Sequence, residues 1–332
     1  MSRRMLGWVG AAIVVSVAVA GGALVWRPGT ASSWGFQEFK LAVADIPVGI
    51  AVSPDGTAWF TLEASDAIGL LRNGRIQKLS KGADSVEPLG LAVDAGGRAW
   101  YTDAPKQRIS RASADGTITS FGLSTPVARL GRLAIAPDGD VWFAETSLVS
   151  VTNLKDGRLT RHVVGSLSPE TPMDAAPFGV AVAPDGTVWA TLQNANKLLR
   201  LAPNGEKTAF DVPTRASGLG DVAVGAGGAV WFLEIAANKI GRFAGGRFEE
   251  FTVPTPRAGL TALAVAPDGD AWFTELRGHR LGRVHAGAIT EFVLPRADAR
   301  PFGITADAGN NVWYTDLSGW LGRLDADRAR AR

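Results

Sequence analysis

The stretch PDGDAWFTELRGHRLGR, from Pro267 to Arg283, has an earlier counterpart in PDGDVWFAET, from Pro137 to Thr146. Both place a tryptophan and a second aromatic residue just behind a Pro-Asp-Gly turn, and both put an acid three positions after the tryptophan, Glu275 and Glu145. Pro presets φ and Gly tolerates positive φ, so Pro-Asp-Gly between apolar runs marks a turn between strands. Aligned on the tryptophan, the phrase occurs at Trp59, Trp100, Trp142, Trp189, Trp231, Trp272 and Trp313, at spacings of 41, 42, 47, 42, 41 and 41. Each unit repeats one grammar: a small apolar run such as Gly49–Val52, the turn, the Trp run, a third run such as Asn238–Phe243, a glycine turn, and a fourth run such as Phe248–Pro254. Four short strands about every 42 residues is the signature of a propeller blade.

Seven units predict an all-β, seven-bladed β-propeller of four-stranded blades. The final unit stops after its third run, Leu321–Leu324, while Phe36–Leu41 before the first unit matches a fourth run. The N-terminal strand is therefore expected to complete the last blade and close the ring. The tryptophans are expected to pack between neighbouring blades.

The chain has 332 residues, is 46% hydrophobic and carries a net charge of +2, which gives no reason to expect nucleic acid. It has no cysteine, so disulfides, thiolate metal sites and a Cys nucleophile are excluded. Leu6 to Trp26 is uncharged and long enough to span a bilayer, behind Arg3 and Arg4. It reads as a signal-anchor or, with Ala18-Val19-Ala20 as a cleavage site, as a signal peptide. Either places the propeller outside the cytoplasm, membrane-anchored or secreted. The expected organisation is a signal segment over 1–27, a linker over 28–35, the propeller over 36–325 and a solvated basic tail over 326–332, as a monomer.

Residues just before the first strand and just after the second share one face of a propeller. The first of these slots follows a Pro-x-Gly frame, whose x residues are Val48, Leu89, Gly131, Phe178, Gly220, Thr261 and Phe302. None of these side chains can serve as an acid or base at neutral pH. Arg132 and Asp221 stand where other blades have Gly, so two charges are expected at this rim. The second slot, three after each Trp, holds Asp103, Glu145, Glu234, Glu275 and Asp316, with Glu63 one position later in its unit. Such acids either accept backbone N–H bonds as part of the frame or, as a ring, hold a hard cation such as Mg²⁺ or Ca²⁺, with Glu145, Glu234 and Glu275 as the candidate ligands. The long interval before Trp189 places extra residues in His162–Pro177, with Glu170, Met173 and Asp174 as candidate contacts. No Ser/His/Asp set or His pair with metal spacing is present among His162, His279 and His285.

The phrases Pro-x-Gly-Ile-Ala-Val, Pro-Asp-Gly-x-Val-Trp-Phe-Thr-Glu and Asn-Lys-Ile-Gly-Arg resemble the streptogramin lyases, the family typified by virginiamycin B lyase, over about Phe36 to Leu324. The resemblance implies a Mg²⁺-dependent elimination that opens a cyclic depsipeptide at its ester. It implies a His base in the last blade's Pro-x-Gly frame, a second His one blade earlier, and two assisting Glu residues. In this sequence the base slot is Phe302, the second His slot is Thr261, and the two Glu slots are Arg300 and Leu317, with Asp316 one position short. Glu87 before Pro88-Leu89-Gly90 keeps an acid without a His. General-base catalysis needs a titratable group in reach of the proton, which Phe302 does not supply. The expected function is therefore capture of a small molecule or protein on the acid-lined face, with a metal-dependent lyase or hydrolase of a cyclic ester as the alternative.

Overall fold

A computed structural model describes residues 35–82, 88–123, 125–126, 129–165 and 175–330. The signal segment over 1–27 and the loop residues Glu170, Met173 and Asp174 lie outside the described residues. Seven four-stranded antiparallel sheets form the ring. In blade 1 the strands run from the axis outward as β2 (Ile46–Val52), β3 (Ala58–Glu63), β4 (Ala67–Arg72) and β5 (Arg75–Ser80). The last blade takes Pro301–Ala306, Val312–Asp316 and Trp320–Leu324 from the C-terminal end and β1 (Phe36–Lys40) from the N-terminal end. β1 pairs antiparallel with Trp320–Leu324, Phe36 opposite Leu324 and Lys40 opposite Trp320. The ring is thus closed by the first strand, as the sequence predicts.

This topology gives the molecule two unlike faces. The inner strands begin, and the second strands end, on the upper face. The Pro-Asp-Gly turns lie on the lower face, where the turn aspartates accept backbone N–H bonds two residues on, as Asp55 does from Thr57 at 3.1 Å and Asp185 from Thr187 at 2.9 Å. Those bonds hold Asp185 below the usual carboxylate range, the Thr187 N–H contributing most. Because β1 runs from the lower face to the upper, Gly35 leaves on the lower face, where its carbonyl accepts from Asp325 N–H at 3.3 Å.

The tryptophans do pack between blades. Trp59 joins Ala99 and Tyr101 of blade 2, Trp272 joins Ile304, Val312 and Tyr314 of blade 7, and Trp313 joins Ile50, Ala58 and Phe60 of blade 1. The arginine of the third strand covers the exposed edge, with Arg242 5.6 Å from Trp231 and Arg323 5.6 Å from Trp313. On the opposite side of the second strand the next aromatic lies flat over a third-strand glycine. A Cβ at Gly69, Gly241, Gly282 or Gly322 would overlap the ring of Phe60, Phe232, Phe273 or Tyr314. This explains the Ile-Gly-Arg phrase. Blade 4 solves the same packing in reverse, pairing Ala190 with Leu199.

A second device joins the blades at the upper face. The threonine two after each of four tryptophans accepts a backbone N–H of its own blade and donates to a carbonyl of the next. Thr61 accepts from Gly49 at 2.8 Å and donates to Pro88 at 2.7 Å. Thr191 and Thr274 repeat this toward Gly220 and Phe302. Thr315 accepts from Gly303 at 2.7 Å and donates to Val48 at 2.6 Å, which ties blade 7 to blade 1. The tail begins as a short helix, Ala326–Arg330. Its Ala329 is buried and offers its carbonyl to Arg283 at 2.8 Å, so this part of the tail packs against the ring rather than lying in solvent.

Candidate functional site

The Pro-x-Gly frame is a β-bulge. In six blades the register of first and second strands shifts at this point, as between Pro47 and Ile50. The extra residue re-aims the x side chain, and bulges of this kind recur beside functional sites. The glycine that follows has no room for a side chain: at Gly303 a Cβ would run into the Val48 carbonyl. Phe302 is half-buried on the rim, its carbonyl held by Thr261 at 2.8 Å and Thr274 at 2.9 Å. Phe178 is nearly covered, with the Arg129 guanidinium 5.8 Å from its ring.

Arg132 and Asp221 meet just below this rim, across the tunnel. Arg132 reaches the Leu89 carbonyl at 3.2 Å, the Thr261 carbonyl at 3.0 Å and Asp221 at 3.5 Å, so one guanidinium from blade 3 touches blades 2, 5 and 6. Asp221 also accepts from Val222 N–H at 3.1 Å and Leu263 N–H at 3.2 Å. Burial still pushes Asp221 above the usual carboxylate range, against the pull of Arg132 and those two amides. The pair borders an axial cavity of about 350 Å³ whose other walls include Ile50, Leu91, Val180 and Ile304.

The acids three after each Trp do not line the tunnel. Asp103, Glu145, Glu234, Glu275 and Asp316 are almost wholly buried, each turned into its own sheet or the loop beside it. Asp103 pairs with Arg108 at 2.8 Å. Glu145 takes Arg161 Nε at 2.6 Å, Arg161 Nη2 at 2.9 Å and the Thr152 hydroxyl. Asp316 pairs with Arg296 and accepts from Ser318 N–H at 2.8 Å. Glu63 is half-buried at the end of β3, opposite Ile46.

Glu234 and Glu275 sit instead against a second carboxylate. Glu250 beside Glu234 accepts from Thr214 N–H at 3.0 Å and from Lys239 at 2.8 Å. Glu291 beside Glu275 repeats the arrangement with Thr255 N–H at 2.8 Å. Burial, and then the Glu250 charge, pushes Glu234 up to about 7, while Lys239 and Ser217 pull less strongly the other way. Burial, and then Glu291, pushes Glu275 up to about 8, against Arg280 and Thr255. Among the described residues, both carboxyl oxygens of Glu234 and of Glu275 are buried without a hydrogen-bond partner.

Glu145, Glu234 and Glu275 therefore share no cage: among the described residues no group of three or more His, Asp or Glu is placed to hold a metal ion. The physical reason is that Asp103, Glu145 and Asp316 each pair with an arginine of their own, while Glu234 and Glu275 stand in different blades, each beside one further carboxylate. The residues present do not fit the Mg²⁺ that the resemblance implies. His279 is exposed and left-handed at φ 55, its Nδ1 bonded to the Ala299 carbonyl; His162 lies against Trp142, the ring centroids 5.3 Å apart and the planes tilted by 30°. Sequence reading had no signal for the threonine ties, nor for the exposed Arg215, Arg257 and Arg277 on the upper face, and it marked Arg300 only as the occupant of a Glu slot.

The model of the virginiamycin B lyase family matches residues 34–324. The chain belongs to that family. It is 34% identical over 205 residues to the virginiamycin B lyase of Nocardia farcinica, covering 60% of this chain and 68% of that protein. The crystal structure of virginiamycin B lyase from Staphylococcus aureus superimposes with a TM-score of 0.79 at 27% identity, over 87% of this chain and 98% of that one. A catalytically inactive form of the Staphylococcus aureus enzyme, solved with quinupristin, superimposes with a TM-score of 0.80 at 28% identity, over 87% and 98% of the two chains. In this member of the virginiamycin B lyase family the x slots hold Val48, Leu89, Gly131, Phe178, Gly220, Thr261 and Phe302, none of them a base.

Proposed function

We propose that this chain is an extracytoplasmic, virginiamycin B lyase-like propeller that captures a ligand or partner on its upper face without the elimination chemistry implied by the resemblance. The observation that carries this is Phe302: the frame around it is intact, while the residue in the base slot is an aromatic hydrocarbon. Thr261, Arg300 and Leu317 in the accompanying slots likewise hold neither a base nor a metal. The buried acids reinforce the reading, because their charges are spent on Arg108, Arg161 and Arg296. The uncharged run Leu6–Trp26 supports a location outside the cytoplasm. With Gly35 leaving on the lower face, an anchor there would leave the upper face pointing away from the bilayer. Among the described residues, no helix is long and apolar enough to cross a membrane.

The test is incubation of the full-length chain with quinupristin and Mg²⁺, followed by chromatography and mass spectrometry. Elimination opens the ring at unchanged mass and creates a new conjugated double bond, so retention and absorbance both move. The expected result is no change in either. Ring opening lost on substitution of an upper-face residue sinks the proposal in favour of a lyase.

A further inference from the structure

The upper face was expected to be acidic, and its buried layer is, but among the described residues of blades 4 to 7 its exposed unpaired charges are arginines. On this face Arg215, Arg257, Arg277 and Arg300 are exposed, and no ion pair or hydrogen bond engages their guanidinium groups among the described residues. The exposed acids there are already taken: Asp211 by Lys197 at 2.9 Å and Asp298 by Arg296 at 2.9 Å. Arg277 lays its stem on Gly259, about one step from the inner rim. Arg300 immediately precedes Pro301 and Phe302, and its carbonyl accepts from Leu317 N–H at 3.0 Å. The four cations therefore stand on separate loops around one arc, beside Phe302, Leu317 and the exposed Ile235.

We propose that this arc docks an acidic peptide segment of a protein partner, a reading that rests on capture at the upper face. Three features select that occupant. Guanidinium forks match carboxylates in pairs of hydrogen bonds and are less strongly hydrated than ammonium groups. The cations are set on loops of successive blades, outside the axial cavity that Arg132 and Asp221 border, so they offer a spread surface. Arginine interleaved with aromatic and aliphatic side chains is also the composition of protein interfaces. Gly35 and Leu324, at the two ends of the closing blade's outer strands, lie at the opposite face.

The experiment is fluorescence anisotropy of a labelled, Asp- and Glu-rich peptide of about ten residues, long enough to span several loops, titrated with the full-length chain. Three proteins are compared: the parent chain, Arg257→Glu/Arg277→Glu/Arg300→Glu, and a lower-face control with the same charge change, Arg75→Glu/Arg158→Glu/Arg247→Glu. Thermal melts check that all three fold. The expected result is saturable binding that weakens with added salt, about tenfold or more weaker in the upper-face variant and unchanged in the control. No binding, or equal weakening in both variants, overturns the proposal. Displacement by inorganic phosphate at constant ionic strength also overturns it, in favour of a small-anion site. Loss of peptide binding while quinupristin stays closed removes the peptide and leaves capture on this face. Ring opening removes the parent reading whatever the peptide does.

Discussion

At the scale of single residues, the acid pairs of blades 5 and 6 have the clearest consequence. Glu234 and Glu275 hold their protons to about 7 and about 8 in the fold, against ordinary values of 4.5 in the unfolded chain. Between those limits the native state binds protons that the unfolded state has lost, so stability falls as pH rises. It is complete below about 4.5 and lost through the folded values. Melting of Glu234→Gln/Glu275→Gln is expected to match the parent chain near pH 4.5 and to exceed it by about 2–4 °C at pH 8.5, with a flatter profile between. A steeper profile in the variant would show that these acids are charged in the fold. The acids were visible in the sequence but their setting was not. They lie an odd number of positions from the tryptophan, on the side of the second strand that faces away from it. Their partners arrive from 16 residues away for Glu145 and Arg161, and from the fourth strand for Glu234. No local spacing announces such a partner.

At the scale of strands, packing in each blade depends on one exchange of volume between the second and third strands. Gly241→Ala is expected to destabilise by several kcal/mol, because the Phe232 ring fills the space the new methyl would need. Phe232→Ala/Gly241→Leu copies the Ala190–Leu199 solution of blade 4 and is expected to recover most of that loss in urea unfolding. If the double variant is no better than the single one, the exchange is not the reason for the glycine. Thr315→Val removes an acceptor from Gly303 N–H and a donor from the Val48 carbonyl, at an expected cost of about 1–3 kcal/mol. Strand order and turns were legible because their code is local: a turn residue, then alternation, every 42 residues or so. The threonine ties escaped notice because threonine suits any strand, and only the approach of the next blade gives its hydroxyl a task.

At the scale of the ring, Arg132 and Asp221 are 89 positions apart in sequence yet meet at 3.5 Å, tying blade 3 to blade 5. Two departures from glycine marked them in the sequence, but only closure of the circle brings them together. Arg132→Met leaves Asp221 buried without its partner and is expected to cost about 3–5 kcal/mol. Adding Asp221→Asn is expected to restore part of it, and denaturant titration of the single and double variants measures the coupling. The closing strand has a different kind of consequence, one of time. Glu38 of β1 meets Tyr314, 276 residues later, so the first strand to leave the ribosome pairs with nearly the last. At about 5–20 residues per second, roughly 14–55 seconds of synthesis separate the two. Through that interval Phe36 and Phe39 have no blade to enter, and the nascent chain is a broken circle whose earliest segment must be kept from other company until its final one arrives.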